Sequence, residues 1–92
     1  MTAESDKLRS ETALGSRARQ LMGDELMVGT FDKLRAGYAE QWAQCASPEI
    51  RDRLWLKTQA LNDVQADLLT MVETGKLASI TLAAEPKKRL DA

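Results

Sequence analysis

CASPEI, residues 45–50, is the strongest punctuation in the chain. Pro48 has no backbone N–H and its ring blocks a helix that began before it. It also drives Ser47 out of the α region. Ser47 is therefore placed to cap a new helix, with Pro48 at the first helical position and Glu49 beside the positive end of the helix dipole. The break is only a few residues long. Two helices joined so closely are expected to fold back on each other as an antiparallel hairpin.

Upstream of the break, Asp24 can cap a first long helix, with Glu25 in its first turn. At about 100° per residue, Met27, Phe31, Leu34, Tyr38, Trp42 and Cys45 fall on one apolar stripe. Gly29 and Gly37 lie inside this helix, and each costs about 1 kcal/mol relative to alanine. Such a helix needs packing against something else to persist in water.

Downstream, the second helix is expected to run to about Thr74, with Gly75 as a left-handed C-cap and a length of about 39 Å. Its main stripe holds Ile50, Leu54, Leu61, Val64, Leu68, Met71 and Val72. Lys57 falls inside the stripe, where its stem can lie along apolar surface. Leu54, Leu61 and Leu68 recur every seventh residue, with Ile50, Val64 and Met71 in the alternating register of a short heptad seam.

The ends of the chain carry weaker signals. Residues 1–15 have few large apolar groups and read as a flexible tail. Residues 16–22 read as a short helical turn capped by Ser16 and ended by Gly23. LASITL, residues 77–82, has β-branched character and reads as a short strand or extended arm. Glu85-Pro86 would break any helix, leaving PKKRLDA, residues 86–92, as a solvated tail. The expected organisation is a flexible tail (1–15), a helical hairpin domain (16–78), and a C-terminal arm with a basic tail (79–92). The fold class is all-α.

Composition narrows the function. The chain has 92 residues, 43% hydrophobic and 29% charged, with a net charge of −1. No global field draws it to nucleic acid or membrane. A single cysteine excludes an intrachain disulfide and suits a reducing compartment. No apolar run reaches membrane-span length, so the cytoplasm is the expected location. The chain contains no histidine, which removes the commonest general base and metal ligand.

The remaining chemical candidates have simple readings. Cys45, on the first stripe, reads as a buried small hydrophobe. Phe31, Tyr38 and Trp42 read as core. Asp63, Asp67 and Glu73 could form part of a paired-carboxylate or Mg²⁺ site, but read as a solvated acidic face. Walker, dinucleotide and zinc patterns are absent, and no cofactor or metal is implied. Three basic clusters, Arg51/Arg53/Lys57, Arg17/Arg19 and Lys87/Lys88/Arg89, read as solvated or ion-paired. Should DNA be bound, Arg17, Arg19, Lys87, Lys88 and Arg89 are the candidates by charge.

Apolar residues are left over after the hairpin is built. Trp55 and Leu69 lie on one flank of the second helix, and Leu56 on the other. Val28, Ala36, Ala39, Ala43 and Ala46 form a second, small-residue side of the first helix, where another helix could approach closely. A helix that is apolar on more than one side is usually surrounded. Trp55, Leu56, Leu69, Val28, Ala36 and Ala43 are therefore the expected interface to another copy or partner. In the alternative, residues 16–22 or the LASITL arm cover them within one chain.

Two stretches carry a family resemblance: RARQLMGDELMVGTFDKLRAGYAEQWAQ (17–44) and RDRLWLKTQALNDVQADLLTMVETGKL (51–77). The most recognisable pieces are RDRLWLKTQAL and ETGKL. Together they resemble short helical proteins of tailed phages and prophages encoded near head-assembly and DNA-packaging genes. The nearest functional analogy is the small terminase subunit. The resemblance implies a helical oligomerisation core, a ring that engages viral DNA, and a larger phage packaging or head protein as partner. Small terminase subunits typically also carry an N-terminal helix-turn-helix domain, for which residues 1–23 are too short. The expected function is thus a non-enzymatic, oligomeric assembly or packaging scaffold. The rival class is a small binding module that inhibits or adapts a host protein.

Overall fold

The structure is a computed structural model and describes residues 2–84. It contains three helices: α1 (Ala3–Met22), α2 (Glu25–Gln44) and α3 (Pro48–Ala84). No strand occurs among the described residues.

The helix boundaries follow from side chains that satisfy the first free N–H groups. Thr2 caps α1, its hydroxyl oxygen accepting from the Ser5 N–H at 3.0 Å, with Glu4 and Asp6 in the first turn. The Gly23 N–H donates to the Arg19 carbonyl at 3.1 Å and closes α1. Asp24 begins α2 at once, its carboxylate accepting from the Met27 N–H at 2.9 Å. Ser47 begins α3, accepting from the Ile50 N–H at 3.4 Å, and Pro48 occupies the first helical position.

α3 is the spine. At 37 residues it is about 55 Å long. α1 and α2 lie end to end along it, both antiparallel to it. Gly15 meets Gly75, and Leu21 approaches Leu68. Further along, Arg35 meets Asn62 and Trp42 meets Arg51. The molecule measures 71 × 25 × 14 Å. Its smallest dimension is little more than one helix diameter, about 10–12 Å. It is a flat ribbon, and its radius of gyration of 19.9 Å far exceeds the roughly 12 Å of a compact chain of this length.

Several expectations are corrected here. The expected tail 1–15 lies almost wholly in α1. LASITL is neither strand nor arm but the last turns of α3. Gly75 is not a C-cap, since no described glycine has positive φ; it is buried in the interior of α3. Two helices with a short turn become three. The basic residues Lys87, Lys88 and Arg89 lie outside the described residues.

Gly75 is needed where α1 crosses α3. A Cβ at Gly75 would stand 2.8 Å from the Gly15 Cα and 3.0 Å from the Glu11 carbonyl oxygen. A Cβ at Gly15 would stand 2.7 Å from the Met71 carbonyl oxygen. These are backbone atoms, and no rotamer change moves them aside. Ala18 and Ala78 continue the seam one turn away, each 2% exposed. The helices therefore meet backbone to backbone, a contact that only small side chains permit.

α2 is held differently. None of its residues is buried. Phe31, Tyr38 and Cys45 are half-buried, and Leu34 and Trp42 are exposed. The expected aromatic core is thus a partly wet seam. Much of its bonding is polar. Arg35 donates to Asn62 Oδ1 at 3.2 Å and to Gln65 Oε1, and pairs with Asp32 at 3.7 Å. The Arg51 guanidinium lies 3.5 Å from the centroid of the Trp42 ring. Lys57 Nζ sits 5.6 Å from the Tyr38 ring centroid. Arg51, Thr58 and Gln65, seven apart, line this seam, so Ile50 and Val64 of the expected heptad stripe stay exposed.

Candidate interaction surface

A folded chain normally hides its large apolar side chains. This one does not. Four hydrophobic residues are buried among the described residues, Ala18, Leu54, Val72 and Ala78, and two of them are alanine. The accessible surface is 7102 Å². A compact monomer of 10.2 kDa would expose about 5,300 Å².

Most of the exposed large apolar groups lie along the α2–α3 half, while Leu14, Leu21, Leu77 and Ile80 are exposed on the α1–α3 half. Trp55 is 57% exposed and lines a groove of about 200 Å³ with Tyr38, Ala39, Trp42, Leu54 and Thr58. Trp42, across the groove, is 44% exposed. Asn62, which holds Arg35, and Leu69, 47% exposed, follow Trp55 at seven-residue steps along the same edge of α3. This side of the ribbon thus carries two tryptophans and a leucine around one arginine-to-amide cluster. Val28, 39% exposed, lies in a smaller depression with Leu21, Met22, Met27, Phe31, Gln65 and Leu68, where α1 gives way to α2.

The other expected interface residues are exposed but not gathered into this groove. Leu56 is open on α3, a step of about 100° round the helix from Trp55. Ala36 and Ala43 are exposed on α2. α1 covers the C-terminal half of α3 and still leaves Trp55, Leu56 and Leu69 open. The intramolecular alternative, cover by residues 16–22 or 77–82, is therefore not what the fold does.

Arg51 joins the surface to the seam. Its Nε is buried without a hydrogen-bond partner among the described residues, while its guanidinium face stacks on Trp42. Arginine suits this position because its planar, weakly hydrated head can lie flat on an indole. In the sequence, Arg51, Arg53 and Lys57 read as one basic cluster, which misses the pairing of Arg51 with Trp42. The signal is present nonetheless: Trp42 lies three residues before the 45–47 turn and Arg51 four after it, at about the height where an antiparallel pair must meet.

The remaining chemical candidates are spread out. Cys45 is half-buried rather than buried, with its thiol 3.9 Å from the Ser47 carbonyl. Asp63, Asp67 and Glu73 are exposed on α3. No group of three or more His, Cys, Asp or Glu side chains able to hold a metal occurs among the described residues. Arg17 and Arg19 are exposed on α1 but face different clefts: Arg17 lies with Gln20, Leu21 and Asp24, and Arg19 with residues of α3. No described helix is long and apolar enough to cross a membrane. Comparison with protein-family models, with curated proteins and with solved structures finds no match to this chain.

Proposed function

We propose that this chain is a non-catalytic assembly protein of the bacterial cytoplasm, a helical scaffold that works by associating with copies of itself. The phage head-assembly and packaging resemblance of residues 17–77 supplies the setting, with a larger packaging or head protein as the further partner. One observation carries the reading: Trp42, Trp55 and Leu69 lie exposed along the α2–α3 side of a ribbon little more than one helix thick. The surface in excess of a compact monomer is roughly 1,800 Å², against about 800 Å² removed from each partner in a standard interface. A net charge of −1 offers little repulsion between copies.

Sedimentation equilibrium and mass photometry at micromolar concentration test this. The wild type should sediment as a discrete multiple of 10.2 kDa. Trp55→Glu with Leu69→Glu should lower that multiple while far-UV circular dichroism stays within about a tenth of wild type. A compact wild-type monomer at 50 micromolar would overturn the proposal.

A further inference from the structure

The glycine crossing that joins α1 to α3 leaves a second feature beside it. A cleft of about 410 Å³ opens along this crossing, with Gly15 and Gly75 in its lining. Polar groups share its walls with the apolar side chains of Val72 and Ile80. Thr12, Ser16 and Arg19 come from α1, and Lys76 and Ser79 from α3. Two cations from different helices line one cleft with three hydroxyls, of which that of Thr12 donates to the Leu8 carbonyl at 2.8 Å. No carboxylate lines it.

Arg19 and Lys76 take part in no salt bridge among the described residues, whereas Arg9 and Arg35 each have an aspartate three residues away. An anion in the cleft would have both cations in its lining. Guanidinium and ammonium with hydroxyl donors match a phosphate group in charge and in geometry. A carboxylate ligand would use fewer of these donors.

We infer that the α1–α3 cleft is a binding site for a phosphate group, held by Arg19 and Lys76 and oriented by Ser16 and Ser79. The site is independent of self-association. It also separates Arg19 from Arg17, whose cleft contains Asp24. The phosphate belongs either to a small phosphorylated molecule or to a nucleic-acid backbone, and the experiment distinguishes the two.

The full chain is titrated with pyrophosphate and, separately, with a random-sequence DNA duplex of twenty base pairs. The Gly15 and Gly75 amide resonances are followed by NMR. Both amides should shift on saturation. Arg19→Gln and Lys76→Gln should each weaken binding about tenfold, while Arg17→Gln and Lys57→Gln stay within twofold. Circular dichroism of each variant should match wild type, because all four side chains are at the surface. Saturation by pyrophosphate alone assigns a small phosphorylated ligand. Saturation by the duplex, with a salt slope that falls by about 1 in each cleft variant, assigns a backbone phosphate. Absence of shifts with both probes, or equal losses in all four variants, overturns the site. Mass photometry of Arg19→Gln should return the wild-type mass, which separates failure here from failure of the assembly reading.

Discussion

The chain has five glycines, and four of them lie inside helices. They divide into two pairs whose response to alanine should be opposite. A Cβ added at Gly29 or Gly37 in α2 would meet nothing within 4 Å. At these sites alanine removes backbone freedom from the unfolded chain and meets no obstacle, so each substitution should stabilise by about 0.5–1 kcal/mol. Gly15 and Gly75 gain the same propensity but meet backbone at 2.7–3.0 Å. Relief requires the two helices to move apart along the Gly15–Ala18 and Gly75–Ala78 seam, where the best-buried residues lie. Overpacking of this kind costs about 1–3 kcal/mol, which exceeds the propensity gain over most of that range. The gap between the pairs should be about 1–3 kcal/mol, or at least ~4 °C in midpoint for a domain of this size. Thermal melts of the four variants, followed by far-UV circular dichroism at one fixed concentration, measure it. Holding concentration fixed matters because self-association also raises the midpoint. The double variant Gly15→Ala/Gly75→Ala should depart from additivity, since each new methyl meets the other residue's backbone. If Gly15→Ala and Gly75→Ala raise the midpoint as Gly29→Ala and Gly37→Ala do, the close crossing of α1 and α3 is wrong.

Other consequences can be checked singly. Arg51→Lys keeps the charge but loses the flat stack on Trp42; a destabilisation of about 0.5–1 kcal/mol and a changed tryptophan emission maximum are expected, and an unchanged spectrum would rule out the stack. Asp24→Ala and Ser47→Ala each remove a cap and should destabilise by about 1 kcal/mol in denaturant melts, whereas Asp63→Ala, exposed in mid-helix, should change stability by less than about 0.5 kcal/mol. Deleting residues 1–14 removes most of α1 and bares the Gly75–Leu82 face of α3. Hydrogen exchange of amides 72–84 should then accelerate at least tenfold, with amides 50–62 much less affected; unchanged protection would restore the flexible-tail reading of residues 1–15.

The α2–α3 turn was legible from local chemistry. Pro48 and Ser47 determine a boundary whatever surrounds them, and Asp24 likewise, because a cap acts through hydrogen bonds to its own next turn. The all-helical class followed from the same residues and from the spacing of apolar groups. The surplus of apolar residues was legible too: Trp55, Leu56 and Leu69 cannot all face one neighbour, and all three are exposed. What the neighbours are is a different kind of information. Gly75 looks like a helix end when read alone, because glycine is the usual residue in a left-handed cap, and Gly15 looks like the end of a tail. Only their meeting across sixty positions turns them into a packing contact. With that contact, residues 3–14 gain something to pack against, and a stretch with few large apolar side chains becomes a helix. Tertiary structure also chose Arg51, Thr58 and Gln65 for the α2 seam over Ile50 and Val64. A helix pair settles the rotation that satisfies its glycine crossing and its polar partners together, and the apolar stripe visible in one helix by itself does not determine that rotation.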